Sequence, residues 1–503
     1  MSRSKSNIAP PARRALWLAI VVASSAGAAP REPSLPAFSP AASWQAALRP
    51  WQRLDAAIGW MKPPQAPATS SPNAIVVTNC DDSGPGSLRD AVENAVDGSM
   101  IDLTQLDCSA ITLTSGALAA AQESLSLTGP GSALLTVSGN DAQQVLVHSG
   151  SGTLSIANIA IAHGLNHQTN PSGGCIYSQG RVVLTSATVH DCVAESDDYH
   201  GLASGGGVFS HGIEATDTSI YSNTVSTLSP IPNLANGGGL TAYGAMVLTR
   251  SYIWGNRAVM CGGVSAPYGL SMSFTTIAAN EAYAVGGACS GLVVSASAVV
   301  DIESSAIVDN EAAAEVGGLY LYGAPPPAPA MKLINSTVSG NTATSYYGGG
   351  VYSRYGVLQI ANSTIAFNSA QTYAGLFADH EEIDLDSSIV ANNSTDGSTG
   401  WDDIDGREVT ITGASNLVTF STLPLPNGTI SADPMLLPLA FNGGLTKTHA
   451  LDPASPAIDA GSNDLGIDFD QRGPGYARTV GAATDVGAFE LDADQIFAGW
   501  FDE

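Results

Sequence analysis

A glycine pair followed by an apolar residue recurs through the middle of the chain. It stands as GGCIY from Gly173, GGGVF from Gly205, GGGLT from Gly237, GGVS from Gly262, GGAC from Gly286, GGLY from Gly317 and GGGVY from Gly348, with a weaker AGLF from Ala374. About fifteen to twenty-one residues after each comes a β-branched residue, two variable residues and an asparagine. These read IYSN (Ile220), IWGN (Ile253), IAAN (Ile277), IVDN (Ile307), VSGN (Val338), IAFN (Ile365) and IVAN (Ile389), with VHDC (Val189) a degenerate first copy. A step of about 24 to 32 residues is that of a solenoid. Between the markers the apolar period is two, as in Val182/Leu184, Met246/Leu248, Leu270/Met272, Val300/Ile302, Met331/Leu333 and Leu358/Ile360. Strand, turn, strand, with no helix-period segment between, implies coils stacked on one another: an all-β parallel β-helix.

The markers have geometric jobs in such a stack. Glycine reaches positive φ, which a sharp bend requires. Stacked side-chain amides satisfy one another and the turn backbone. Asn223, Asn256, Asn280, Asn310, Asn341, Asn368 and Asn392 are therefore expected to form a ladder along one edge.

The alternating GG and x-x-Asn repeats resemble those of chlamydial polymorphic membrane proteins and related secreted bacterial right-handed β-helix proteins. In those the second motif usually begins with Phe; here it is Ile or Val. Their outer-membrane barrel has no counterpart after these repeats, so autotransport is not implied. The resemblance implies a right-handed helix.

A stack exposes an apolar floor at each end, which must be covered. DDSGPGSLRDAVENA (Asp81 to Ala95) reads as a short helix with Ser87 as N-cap and Asp90 three residues on. Leu88, Ala91, Val92 and Ala95 form its apolar face, while Arg89 and Asp90 read as surface groups. It resembles the N-terminal caps of secreted bacterial β-helix proteins. At the other end, residues 431–490 resemble the "choice-of-anchor Q" region of secreted bacterial proteins. The matching residues are Asn442-Gly443-Gly444, TKTHAL from Thr446, SPAIDAG from Ser455, Asp470 to Gly473 and DVGAFE from Asp485. Its His449, Asp459, Asp470, Arg472 and Asp485 are expected to hold turns rather than to catalyse.

Residues 1–29 read as a secretory signal, with basic residues before a short apolar run, and 30–73 as a proline-rich linker. Residues 74–430 hold the cap and β-helix, and 491–503 form a tail. No transmembrane segment is expected in the mature chain, which reads as secreted or cell-surface. The six cysteines suit an oxidising compartment. Sequential pairing is favoured: Cys80–Cys108, Cys175–Cys192 and Cys261–Cys289. A net charge of −27 repels nucleic acid and anionic membrane. Neither a metal site nor a cofactor motif is evident.

The outward side of the strand after each glycine pair is the place for a ligand. Two aromatic clusters fall there, one at Tyr177, Phe209 and Tyr243 with His211 beside them. The other is at Tyr320, Tyr322, Tyr352 and Phe377, with Arg354 and Asp379 at its end. Stacking between coils accounts for such rings without a ligand, and stacking on sugar rings is the functional alternative. Arg354 with Asp379, and Asp301 and Glu303 with Lys332, are the charged groupings a catalytic reading would use. The expectation is a structural, adhesive or glycan-binding protein without catalysis, its partner an extracellular polysaccharide or a cell surface. The alternative is a polysaccharide lyase or glycoside hydrolase acting on the same face.

Overall fold

In the computed structural model the chain winds as a parallel β-solenoid. The structure describes residues 74–198, 201–227, 235–285, 288–290, 299–323, 331–395 and 402–492. The signal, the linker, most of the tail and the side chain of Cys289 lie outside the described residues. Among the described residues three sheets run along the stack, one of 22 strands, one of 12 and one of 11. Most turns give the first sheet two strands, as Leu240–Ala242 and Met246–Thr249 do. They then give one strand to the second sheet (Tyr252–Trp254) and one to the third (Arg257–Met260). Partners are parallel and in register, one turn above another: Leu240 pairs with Val264, Ile253 with Ile277. One apolar core runs from Val77 to Val418.

The asparagine corner is a continuous hydrogen-bonded ladder. Asn256 Nδ2 donates to Asn280 Oδ1 (3.0 Å) and to Ile220 O (3.0 Å), and the Asn256 backbone N–H donates to the same Asn280 Oδ1 (3.0 Å). The pattern repeats through Asn223, Asn280, Asn310, Asn341 and Asn368. Each amide gives two bonds and takes two, all buried, except that Asn223 at the start takes one, from Cys192 N. The last rung is Asn393, not Asn392: Val390 pairs with Ile365, so this copy reads VANN, and Asn392 takes the positive φ (60°) that precedes each ladder residue. The ladder ends on Asp403, whose Oδ1 accepts from Asn393 N and Nδ2 while Oδ2 accepts from Phe420 N. An acceptor-only side chain suits a terminus with no further amide to donate to.

A second ladder, of hydroxyls, lines the corner before the second sheet. The N–H of Ser251 donates to Thr275 Oγ1, that of Thr275 to Ser305 Oγ, and so on through Ser336 and Ser363 to Ser388. At the third corner the positive φ falls one residue before the glycine pair. It is carried by Gly205 and Gly237, but equally by Cys261 (57°) and Val316 (49°). The pair is glycine for another reason. A Cβ on Gly238 would meet Gly262 O at 2.2 Å and the Arg257 backbone at 2.6 Å, so only a bare backbone lets the turns close.

Helix α1 (Leu88–Asn94) covers the N-terminal end, burying Leu88, Ala91 and Val92. Ser87 Oγ accepts from Asp90 N, and Asp90 Oδ2 accepts from Gly86 N. Arg89 is not a surface group. It donates to Asp82 Oδ1 and O and to the carbonyls of Gly116 and Ala117, pinning the cap to the first turns. Cys80–Cys108 and Cys175–Cys192 are bonded as expected, and Cys261 is also disulfide-bonded.

At the other end Leu423 and Leu425 pack on the main core. The C-terminal region then runs along the outer face of the second sheet. Gln471 accepts from Thr337, His449 bonds Ser339, Phe469 O accepts from Asn335, Ser462 O accepts from Asn362 and Ala488 N donates to Thr364. Strand burial records this cover. Thr188–His190 and Ser219–Tyr221 alternate between half-buried and buried. Thr276–Ala278, Ala306–Val308, Thr337–Ser339 and Thr364–Ala366 are buried on both faces.

Candidate binding face

The residues three positions beyond the start of each first-sheet strand share one outward column. Register places Tyr322, Arg354, Asp379 and Arg407 on consecutive turns of it, with His211 and Tyr243 further back. The neighbouring column holds Tyr177, Phe209, Tyr320, Tyr352 and Phe377.

The two expected clusters form, with different surfaces. In the first, Tyr177 stacks on Phe209 with centroids 5.7 Å apart and planes 7° apart. Tyr243 is turned out of that stack, by 52° from Phe209 and 46° from Tyr268, and is 46% exposed; His211 is exposed beside it. A stacked ring spends its faces on its neighbours, whereas a tilted one keeps a face free. In the second cluster Tyr320 stacks on Tyr352 (5.4 Å) and Tyr352 packs on Phe377 (5.2 Å). Tyr347 and Tyr373 close over them, at 5.5 Å from Tyr352 and 4.2 Å from Phe377, and leave these two rings 5% and 2% exposed. Burial pushes the Tyr320 and Tyr347 hydroxyls up to about 12. This cluster is a satellite core with Val316, and Tyr322 stands at its edge against Tyr355.

Beyond it lies a charged group that sequence reading only half sees. Asp379 is buried, with Oδ2 at 3.1 Å from both Arg354 Nε and Arg407 Nη2 and Oδ1 at 2.7 Å from His380 Nδ1. Two residues on, Glu381 turns inward and accepts from Ser353 Oγ (2.7 Å). Burial pushes the Glu381 carboxyl up to about 8; the Ser353 bond works against this and the Asp379 charge adds to it.

That proton has a consequence for stability. In the unfolded chain the carboxyl titrates near its ordinary 4.5. The folded state therefore holds an extra proton, and the associated stability is complete below 4.5 and lost as pH rises through about 8. Glu490, pushed up to about 7, and Asp403, pushed up to about 6, both by burial, act in the same direction. The denaturation midpoint is expected to fall from about pH 5 to about pH 9, and Glu381→Gln to flatten the upper part. A midpoint rising across that range contradicts the assignment.

Asp301 and Glu303 pair in register with Lys332 and Ile334, and among the described residues no ion pair joins them. A further ring column, unmarked in the repeats, runs along the second sheet: His163, His190, Tyr221 and Trp254, with centroids 5.9, 4.9 and 4.7 Å apart. In the C-terminal region Asp470 and Arg472 form a buried pair (2.6 Å), the guanidinium lying 4.0 Å from the Tyr476 ring and 3.9 Å from the Phe489 ring. Asp459 Oδ1 accepts from Ala482 and Ala483 N, Asp485 accepts from Asp459 and Leu491 N, and His449 bonds Leu437 O. These groups are held by backbone and by one another, with His449 also on Ser339. Among the described residues no cluster of His, Cys, Asp or Glu is arranged to hold a metal ion.

No family model and no curated protein matches the sequence. A search of solved structures finds the crystal structure of pectate lyase Pel9A, at a TM-score of 0.38 and 12% identity, covering 81% of this chain and 91% of that one. That likeness carries no argument about function.

Proposed function

We propose that the protein is an exported glycan-binding solenoid whose lane is the outward face of the first sheet. The observation that carries this is Tyr243: a large ring, 46% exposed and tilted from both neighbouring rings, at the bend that follows strand Leu240–Ala242. Sugar rings stack on such faces. The disulfides support export to an oxidising compartment. Among the described residues no helix is long and apolar enough to cross a membrane.

Affinity electrophoresis of the full chain through a panel of soluble polysaccharides tests the reading. At least one should retard it, and Tyr243→Ala should weaken that binding about tenfold, near 1.4 kcal/mol, without lowering the melting temperature. A panel that retards nothing, or a Tyr243→Ala chain retarded like the parent, sinks the proposal.

A further inference from the structure

The chain carries 45 acidic residues against 18 Lys and Arg, so two arginines held together on one face stand out. Arg354 and Arg407 lie two turns apart in one outward column, with Asp379 between them. The Asp379 side chain is 1% exposed, and a single oxygen of it faces both guanidiniums. The arginine side chains remain 35% and 65% exposed. One buried carboxylate therefore lies within ion-pair distance of two guanidiniums, hydrogen-bonds that of Arg407, and offsets only one of their charges.

Among the described residues no other acid pairs with either arginine. Glu408 reaches the far nitrogen of His380 (3.4 Å), Asp405 Oδ1 accepts from Gly406 N, and Glu381 is turned inward on Ser353. Its carboxyl is also neutral near pH 7. Arg407 gives one hydrogen bond, to Asp379, leaving its other donors outward among the described residues. Aromatic rings fix the two guanidinium planes: Tyr355 lies 4.7 Å from Arg354 and Phe377 lies 5.8 Å from Arg407. Planar guanidiniums with free N–H groups recognise carboxylates in two-point fashion.

We infer that Arg354 and Arg407 form a subsite for the carboxylate of a uronic-acid polysaccharide. It lies at the far end of the lane that Tyr243 opens. The inference rests on the glycan-binding reading and adds the substrate class. Tyr243 and Arg354 share the column four turns apart, about 19 Å at the usual strand spacing, so one extended chain spans both.

The test is calorimetric titration of the full chain with neutral gluco-oligosaccharides, oligouronates and sulfated oligosaccharides of matched length. Oligouronates should bind tightest, and raising salt from about 50 to about 500 mM should weaken them alone among the carboxylate and neutral ligands. Arg407→Gln changes an exposed side chain. It should weaken oligouronate binding at least about tenfold, and neutral-chain binding by less, in a chain that stays folded by circular dichroism. The inference is overturned if oligouronates bind no better than neutral chains, if Arg407→Gln binds them like the parent, or if sulfated chains are preferred. The first two results leave the glycan-binding reading standing. Binding of no oligosaccharide at all removes both.

Discussion

Gly238→Ala is expected to cost about 4 kcal/mol or more, enough to prevent the stack from closing at 37 °C. The added Cβ would lie 2.2 Å from Gly262 O and 2.6 Å from Arg257 N and O. All three are backbone atoms, so no flexible side chain can swing away. Gly255 supplies the contrast. Its φ is +60°, yet a Cβ there meets nothing within 4 Å. Gly255→Ala is expected to cost only about 1 kcal/mol, the usual penalty of left-handed backbone for an L residue. Denaturant midpoints of the two variants check this; equal shifts would mean that glycine is used for bending rather than for close approach.

Asn280→Ala is the second large effect. Its side chain accepts from Asn256 N and Nδ2 and donates to Asn310 Oδ1 and Ile253 O. Truncation strands two buried donors on Asn256 and takes a partner from two buried acceptors. At about 1–3 kcal/mol for each stranded group, a loss of about 4 kcal/mol is expected. Asn392→Ala, one residue before a ladder position, should cost far less, because Asn393 makes the rung bonds. Thermal or denaturant unfolding of the pair checks the register, and a larger loss in Asn392→Ala would refute it.

Much of this architecture is legible in the sequence, since a solenoid writes each corner once per turn. The Asn column, the period-two strands and the α1 cap follow from that repetition. The errors have physical sources. Spacing from Ile389 points to Asn392, but the corner is fixed by the hydroxyl two residues before the central β-branched position. Ser363 precedes Ile365 and Ser388 precedes Val390 in that way, which gives Asn393. Glycine as a bend residue holds at Gly173, Gly205, Gly237 and Gly348, but Val316 and Cys261 carry the same positive φ, and the glycines that follow avoid backbone collision.

The binding face was legible as columns but not as surfaces. Nothing in period-two patterning reveals that Tyr347 and Tyr373, from other corners, close over Tyr352 and Phe377. Arg407 was missed because the turn at Ile404–Arg407 lacks the glycine pair that marks the others. The lateral packing of residues 433–492 leaves a trace only in retrospect. The second-sheet strands from Thr276 onward carry small or apolar residues on both faces, where Ser219–Tyr221 does not.

The winding itself is tested most directly by hydrogen–deuterium exchange at the backbone amides of Asn256, Asn280, Asn310, Asn341 and Asn368. Each sits in a turn, where amides ordinarily exchange with solvent quickly, yet each donates to a buried side-chain oxygen of the next turn. Protection matching that of neighbouring strand amides such as Ile277 and Ile307 is the predicted result. Exchange of these five amides at unprotected turn rates, while the strands stay protected, would contradict it.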